Sequence, residues 1–586
     1  MSDQIESDLE KLLKKFALHN ALKYDGKANS KAVLGKVLAE QPDLRKNIDD
    51  LRTKITEIVD EISGLSLSQQ REELSKLAPE MLEARKEPEK DKELTPLQNV
   101  GDNVVMRFAP GPSGPLHIGH ARAAILNDEY CRSYKGKLIL RLEDTNPAKI
   151  KPEAYDMIKE DLEWLGVKYH EVVTQSDRFD FYFKHAKELL EGGHSYICTC
   201  DVEDWRSRKI NKQPCKDREL PVEEQLDRWE KMHDGTYSEG EVTYIVKTDL
   251  SHPNPAVRDF IAFRIIDKPL HPRTGDKVRV YPLMNFSVAL DDHLLGLTHV
   301  LRGKDHLNNT YRQGYLYDYF KWPKPEYIHY GWVSIEGTIL KTSEITEKIA
   351  AGEISNWSDV RLGTFRALAL RGIRSEAVRR YWLEVGTKEV DVKFSWDTLY
   401  AFNRELVDAD APRYFFVPDP VELKLTGITE LEGHAPLHPE YPERGSRKVQ
   451  LKSESGAPIP INIAEEDWSE LKNTKLFRLK DLCNVEPKGD NTIEYKGDDT
   501  SVLKTGDVKI VQWVSGSEYI RVNLVMPEGK TIYGLGETAL KSAVGKLVQL
   551  ERIGYATVNE PSAVQDITKE RTNEGKIDIL VLYSHK

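Results

Sequence analysis

The chain has 586 residues and a net charge of −12, from 84 Lys and Arg against 96 Asp and Glu; at roughly 100 to 200 residues per domain, this length implies about three to five domains. With 39% hydrophobic residues and only 37 Gly and 29 Pro, the composition excludes collagen-like and low-complexity chains, and the acidic balance excludes indiscriminate coating of nucleic acid while leaving local basic patches able to bind it. No stretch approaches 18 uninterrupted apolar residues, the start MSDQIESDLE is acidic where a signal peptide is basic and then apolar, and five cysteines are too few for a disulfide framework, so a soluble cytoplasmic protein without a membrane segment is expected.

Residues 1–84 carry helical spacing, with Leu9, Leu12, Leu13 and Phe16, then Leu51, Ile55, Ile58 and Ile62, among Lys and Glu. Ser66 and Gln69 have the spacing of a capping box that starts one more helix. Residues 85–96, RKEPEKDKELTP, mix charges around two prolines and read as a linker. From 97 to 345 strands and helices alternate. Val104 to Phe108 is short and β-prone, Ile118 to Tyr134 is helical, and Lys137 to Leu142 is a second strand; Tyr155, Ile158, Leu162 and Leu165 mark an amphipathic helix opened by Pro152 and closed by Gly166. This order implies a doubly wound parallel sheet. Residues of about 200–280 lose the rhythm and read as an insertion, and Tyr281 to Leu290 resumes it. A helical, aromatic connector follows over 346–410, with Trp357, Phe365, Leu368, Trp382 and Leu383. Residues 411–586 are short strands broken by Pro, Gly and Asp, as in β-barrels.

The segment RFAPGPSGPLHIGHARAA, Arg107 to Ala124, lies between a strand and a helix. Its Gly, Pro and Ser turn lets backbone N–H groups approach an anion, and the helix N-terminus adds a favourable partial charge, so the segment reads as a phosphate site. His117 and His120, three residues apart in the first helical turn, point the same way and can donate to phosphate oxygens as charge develops in a displacement. Two polar residues beside a tight turn are the bland alternative, outweighed by the flanking P-x-P-S-G-x-L.

PGPSGPLHIGH resembles the HIGH signature of the class I aminoacyl-tRNA synthetases, and together with LRLEDTNP it resembles their glutamyl and glutaminyl branch. The resemblance continues through YPLMNFSVALDDHLLGLTHVLRGKDH (Tyr281 to His306), RYFFVPDPVEL, HPEYPERGSR, FRLKDLCNV and QLERIGYATV, and covers about 97–586. Its C-terminal part looks like the archaeal-type glutamyl enzymes. The resemblance implies an α/β, Rossmann-like class I catalytic domain with an insertion for the tRNA acceptor end, a helical connector and all-β barrels for the anticodon arm, behind an N-terminal helical region. The implied activity uses ATP with its Mg²⁺ to turn L-glutamate into glutamyl adenylate, then passes the glutamyl group to tRNA(Glu). Charging of tRNA(Gln), and tRNA or protein as the partner of the N-terminal helices, stay open. So do two rivals, a glutaminyl-tRNA synthetase and a catalytically weak tRNA-binding paralogue.

By the same resemblance His117, His120 and Lys341 form the catalytic group. ATP is assigned to Pro110, Gly111, Pro112, Ser113, Gly114, Pro115, Leu116, Ile118, Gly119 and Ser343, with Gly119 leaving room for adenine and ribose. Lys341 and Ser343 come from LKTSEI, Leu340 to Ile345, which fits a mobile lysine loop except that Glu344 stands where a lysine usually meets the triphosphate. Arg107 ends the first strand and Glu143 the second, so both project at the carboxyl edge of the sheet. The resemblance sets Arg107 opposite the substrate carboxylate and Glu143 opposite the amino group, and Arg302 matches a position at which glutamate enzymes carry arginine. Met284 and Val288 stand where polar contacts are usual, while Asp291, Asp292 and His293 take a structural, substrate-orienting role without general-base work. No metal ligand is assigned. Cys198, Cys200 and Cys215 would hold zinc only with a fourth ligand such as His194, with Asp217 at the place of a fourth Cys or His, and reduced thiols are the favoured reading. Arg444, Arg447, Lys448, Arg478 and Lys480, with Tyr441 and Phe477, supply basic and aromatic character for the anticodon arm.

Overall fold

The computed structural model describes residues 2–23, 26–40, 44, 48–78, 94–453, 456–505, 508–560 and 577–586, so the linker expected at 85–96 lies outside the described residues up to 93. The chain forms two compact units, Met1–Glu93 and Leu94–Lys586. In the first, α1 (Ser2–Lys23), α2 (Ser30–Glu40), α3 (Ile48–Ser63) and α4 (Leu67–Leu77) bury their apolar stripes together, with Leu13, Phe16, Val37, Ile55 and Ile62 at the centre. Ser66 caps α4: its Oγ accepts from Gln69 N–H at 3.4 Å, and its own N–H donates to Gln69 Oε1 at 3.0 Å.

The second unit opens with β1 (Val105–Phe108), α5 (Ile118–Ser133), β2 (Lys137–Leu142), α6 (Ala154–Trp164) and β3 (Glu171–Thr174), whose strands pair in parallel in that order. After α7 (Phe179–Glu191), β4 (Ser195–Cys198), α8 (Val202–Ile210), α9 (Val222–His233), β5 (Thr243–Val246), β6 (Phe260–Ile265) and β7 (Val280–Pro282) build a separate antiparallel sheet in the order β4-β5-β6-β7. Tyr281, read from sequence as the return of the parallel sheet, therefore pairs with Arg264 inside the insertion. A three-residue apolar strand reads the same in either kind of sheet, and only its distant partner decides. The parallel layer resumes with α10 (Met284–Leu294), β8 (His299–Gly303), α11 (Leu307–Phe320) and β9 (Glu326–Tyr330). β8 runs beside β1, joined by Thr298 N–H to the Val105 carbonyl at 3.0 Å.

Strand alternation sorts the side chains of this layer. Met106, Phe108, Leu138, Leu140 and Leu142 face α5 and the main core. Val105, Ile139 and Val300 pack together on the opposite face, so Arg107, Arg141 and Arg302, which share their parity, stand on that face as well. Three buried arginines on one face of a sheet need anions, and α10 brings one in Asp292.

The connector comprises α12 (Thr342–Ala350), α13 (Phe365–Leu370), α14 (Ser375–Val385) and α15 (Trp396–Val407). Beyond it lie two seven-stranded sheets. Each has as its two outermost strands a pair of chain neighbours, Arg413–Tyr414 and Phe416–Pro418 in one and Ile510–Val511 and Val514–Ser515 in the other, so a single extended segment brings the edges of each sheet together into a near-barrel. The segment around Phe415 serves both. Tyr414 and Phe416 enter one core while Phe415 and Val417 enter the other, as a period of two requires.

Candidate active site

The turn after β1 is fixed from both sides. Glu143 N–H donates to the Pro110 carbonyl at 3.0 Å, Lys151 N–H to Pro112 at 2.9 Å, and Ser113 N–H to Gly111 at 2.8 Å. Leu116 N–H donates to the buried Asp161 carboxylate at 2.7 Å, and Ile118 N–H reaches the Gly363 carbonyl of the connector at 2.9 Å. Burial pushes Asp161 up to about 6 against that hydrogen bond. The Leu116 and Ile118 side chains are buried in the core, where they seat the turn.

His117 is the N-cap of α5, and the two imidazoles close the helix end between them. His117 Nδ1 accepts from Gly119 N–H at 3.1 Å, and His120 Nδ1 accepts from His117 N–H at 3.2 Å. With each Nδ1 accepting, the proton of each neutral ring sits on Nε2. The rings lie 3.8 Å apart, tilted by 32°. Burial drives His120 down to about 4; burial, and then the neighbouring ring, drive His117 down to about 2. Both are thus uncharged N–H donors near neutral pH. A Cβ on Gly119 would lie 2.9 Å from His117 Cε1, so the missing side chain makes room for the imidazole.

Pro110, Gly111, His117, Gly119 and His120 border a cavity of about 540 Å³ together with Arg107, Glu143 and Arg302. Pro112, Ser113, Gly114 and Pro115 stand behind the turn and do not border it; neither do Lys341 and Ser343, which are exposed at the start of α12. A Cβ on Gly114 would come within 2.9 Å of Thr342 Cγ2, so the lysine loop already touches the back of the turn. Glu344 is exposed.

On the far wall, Arg107 Nη1 donates to the Leu301 carbonyl at 3.1 Å and its Nε lies 3.6 Å from Asp292 Oδ1. Arg302 donates to Gln313 Oε1 at 2.9 Å and Thr310 Oγ1 at 2.6 Å, with its guanidinium 4.8 Å from the Tyr327 ring. Each keeps a buried Nε without a hydrogen-bond partner. Burial, and then the charge of Arg107, hold Arg302 below its usual range. Two partly unsatisfied guanidiniums beside one cavity call for a carboxylate. Glu143 answers with negative charge: its Oε1 accepts from Arg141 Nη2 at 3.0 Å, and burial raises it while Arg141 and Arg107 oppose the rise.

Sequence reasoning passed over Arg141, the fully buried residue that ties this wall together. Strand parity carried the signal. Asp291 is committed to Arg178 Nε at 2.6 Å, Tyr182 Oη at 2.6 Å and Gln175 Nε2 at 2.9 Å, and His293 stacks on Trp322 at 3.9 Å. The Asp-Asp-His run therefore splits into two buried anchors and a packing residue. Met284 and Val288 do border the cavity.

In the insertion, Cys198, Cys200, Cys215 and Asp217 bring their ligand atoms within 4.8 Å of one another, while His194 stacks on Tyr319 at 4.0 Å. Cys200 N–H and Asp217 N–H donate to the sulfurs of Cys198 and Cys215, both at 3.4 Å; the hydrogen bond from Cys198 brings Cys215 down to about 6, while the same contact and burial push Cys198 up.

Residues 103–409 match the family described as tRNA synthetases class I (E and Q), catalytic domain, and residues 411–504 match the corresponding anti-codon binding domain. A glutamate–tRNA ligase of Thermoplasma volcanium is 49% identical over 546 residues, covering 93% of this chain and 97% of its own. One of Methanocaldococcus jannaschii is 46% identical, over 94% of this chain and 98% of its own, and one of Methanocorpusculum labreanum is 43% identical, over 99% and 100%.

Proposed function

The chain belongs to the E and Q branch of the class I tRNA synthetases and ligates glutamate to tRNA with ATP, and on that premise we propose how its residues divide the work. The glutamate γ-carboxylate lies between Arg107 and Arg302, and its ammonium faces Glu143. An α-carboxylate oxygen then attacks the α-phosphorus of ATP, the bond to the pyrophosphate oxygen breaks, and charge builds on the phosphate oxygens. His117 and His120 meet that charge with Nε2–H donors that need no reorganisation. In the second step a terminal ribose hydroxyl of tRNA attacks the glutamyl carbonyl and AMP departs. The observation that carries this reading is the pair of Nδ1-anchored imidazoles bordering the same cavity as Arg107, Arg302 and Glu143. Lys341 closes over the triphosphate when ATP and its Mg²⁺ bind, moved by the loop that already touches Gly114.

The antiparallel insertion receives the acceptor end, the two near-barrels take the anticodon arm, and tRNA(Glu) is the substrate, with tRNA(Gln) and a tRNA or protein partner for the N-terminal helices as further assignments to test. Cys198, Cys200, Cys215 and Asp217 suit a structural zinc ion, which would cross-link the end of β4 to the loop ahead of α9. Five free cysteines and a role in translation support a cytoplasmic setting, and among the described residues no helix is long and apolar enough to cross a membrane. ATP–pyrophosphate exchange with and without tRNA, using glutamate or glutamine, tests the reading. Exchange driven by glutamine in preference to glutamate would replace it with the glutaminyl activity, and no exchange under any condition would leave a tRNA-binding paralogue.

A further inference from the structure

Three cations meet at the seam between the insertion and the parallel layer. Lys209 lies in the last turn of α8, Arg258 lies in the loop before β6, and Arg312 sits on α11, directly downstream of the cavity wall at Arg302 and His306. Arg258, only 3% exposed, clamps the seam: its Nη1 donates to the Lys209 and Ile210 carbonyls at 3.0 and 2.8 Å, and its Nε to His252 at 2.7 Å. Arg312 Nε donates to the Ala256 carbonyl at 2.5 Å and its Nη1 to Asn309 Oδ1 at 3.1 Å. Every one of these acceptors is neutral. The Lys209 ammonium makes no hydrogen bond among the described residues and rests 5.2 Å from the Trp205 ring.

No carboxylate among the described residues forms an ion pair with any of the three. Asp259, whose charge reaches Lys209, is held by Arg218 Nε at 3.0 Å, Tyr196 Oη at 3.1 Å and Thr248 N–H at 2.7 Å. The carbonyls at the C-terminal end of α8 offset part of the Arg258 charge. Burial first, then Arg312 and, more weakly, Arg258, push Lys209 down to about 8 against the opposing charge of Asp259. A half-buried ammonium crowded by two guanidiniums is stabilised when an anion arrives, and Arg312 is linked to the cavity wall through Asn309, whose Nδ2 lies 3.0 Å from Nδ1 of the cavity-lining His306.

We infer that Lys209 and Arg312, held in place by Arg258, bind a backbone phosphate of the single-stranded acceptor end of tRNA. This rests on the activity described above. Phosphate contacts position a strand without reading its sequence, and each contributes to the salt dependence of binding.

The test is aminoacylation by the full chain over a range of salt concentrations, with Lys209→Ala, Lys209→Arg and, as a control, Lys268→Ala on the exposed surface of the same insertion. Lys209→Ala should raise the KM for tRNA about tenfold, the worth of one charge-assisted hydrogen bond, and lower the log–log salt slope by roughly 0.7 to 1. Lys209→Arg should restore most of both, and Lys268→Ala should change neither. A wild-type KM and slope in Lys209→Ala, or the same change in Lys268→Ala, would overturn the site. Failure of the wild-type chain to charge tRNA would instead overturn the activity itself, and the site with it.

Discussion

Arg141 and Asp292 form an ion pair from which solvent is wholly excluded, with Nη1 to Oδ1 at 2.6 Å, and the same Arg141 holds Glu143 Oε1 through Nη2 at 3.0 Å. Because Asp292 Oδ1 also lies 3.6 Å from Arg107 Nε, one arginine with no access to substrate sets the position of both the acid and the base that face it. A buried pair is weak evidence for net stability, yet removing one partner leaves the other charged and unpaired.

Arg141→Ala should therefore destabilise the folded chain by about 3 to 5 kcal/mol, and Asp292→Ala by a similar amount, since each strands a buried charge. The double variant Arg141→Ala/Asp292→Ala should lose less than the sum of the two. Urea denaturation of the three variants measures this; strict additivity would mean that the pair is not coupled.

His117→Ala or His120→Ala should slow glutamyl adenylate formation on the order of 10² to 10³-fold, the loss expected for one donor to a developing oxyanion. Pyrophosphate exchange reads it. The pair also bears on pH. The unfolded histidines take up protons below 6.5, whereas the native rings, pushed to about 4 and about 2, do not. Their contribution to stability is full above 6.5 and falls as pH drops from there, through about 4 for His120 and about 2 for His117. A His117→Asn/His120→Asn variant should lose less stability than wild type between pH 7 and pH 5, and the wild-type exchange rate should show no acid limb from these groups above about pH 4.

Arg302→Ala should raise the KM for glutamate strongly and weaken discrimination against glutamine, because the site then no longer leaves a cation unpaired when an amide binds. Unchanged glutamate kinetics would take Arg302 out of the pocket.

In the lysine loop the charges order the outcomes. Lys341→Ala should cost more activity than Glu344→Ala, and Glu344→Lys should be equal to or better than wild type, since a carboxylate repels the triphosphate on closure. A larger loss in Glu344→Ala would give that carboxylate a positive role.

Purified chain should carry stoichiometric zinc by elemental analysis. Cys215→Ser should lose it and lower the Tm, while a zinc chelator should lower the Tm of wild type but leave Cys215→Ser unchanged. A metal-free wild type with the same Tm would leave three reduced thiols.

What the sequence determined is local. The turn from Pro110 to His120 was legible because its chemistry is closed within a few residues: backbone N–H groups, a helix start and two histidines three positions apart, whereas Gly119, expected to leave room for adenine and ribose, was shown only by the structure to admit the His117 ring. Strand and helix alternation up to Leu165 was legible for the same reason, since period alone fixes which side of each element is buried. Arg107 and Glu143 could be placed at the edge of the sheet, and Arg302 only by its match to a family position, but not what holds them. That was decided by contacts between distant parts of the chain: Asp292 comes to Arg141 across 151 positions, Asp259 is taken up by Arg218 across 41, and Cys198 meets Cys215 through the packing of a loop onto β4. The pairing of Tyr281 with the insertion and the sharing of Phe415 and Phe416 between two cores are of the same kind. An apolar strand or a lone charge fits several partners equally well in one dimension, and only the folded chain, which must satisfy every buried charge and hydrogen bond at once, selects among them.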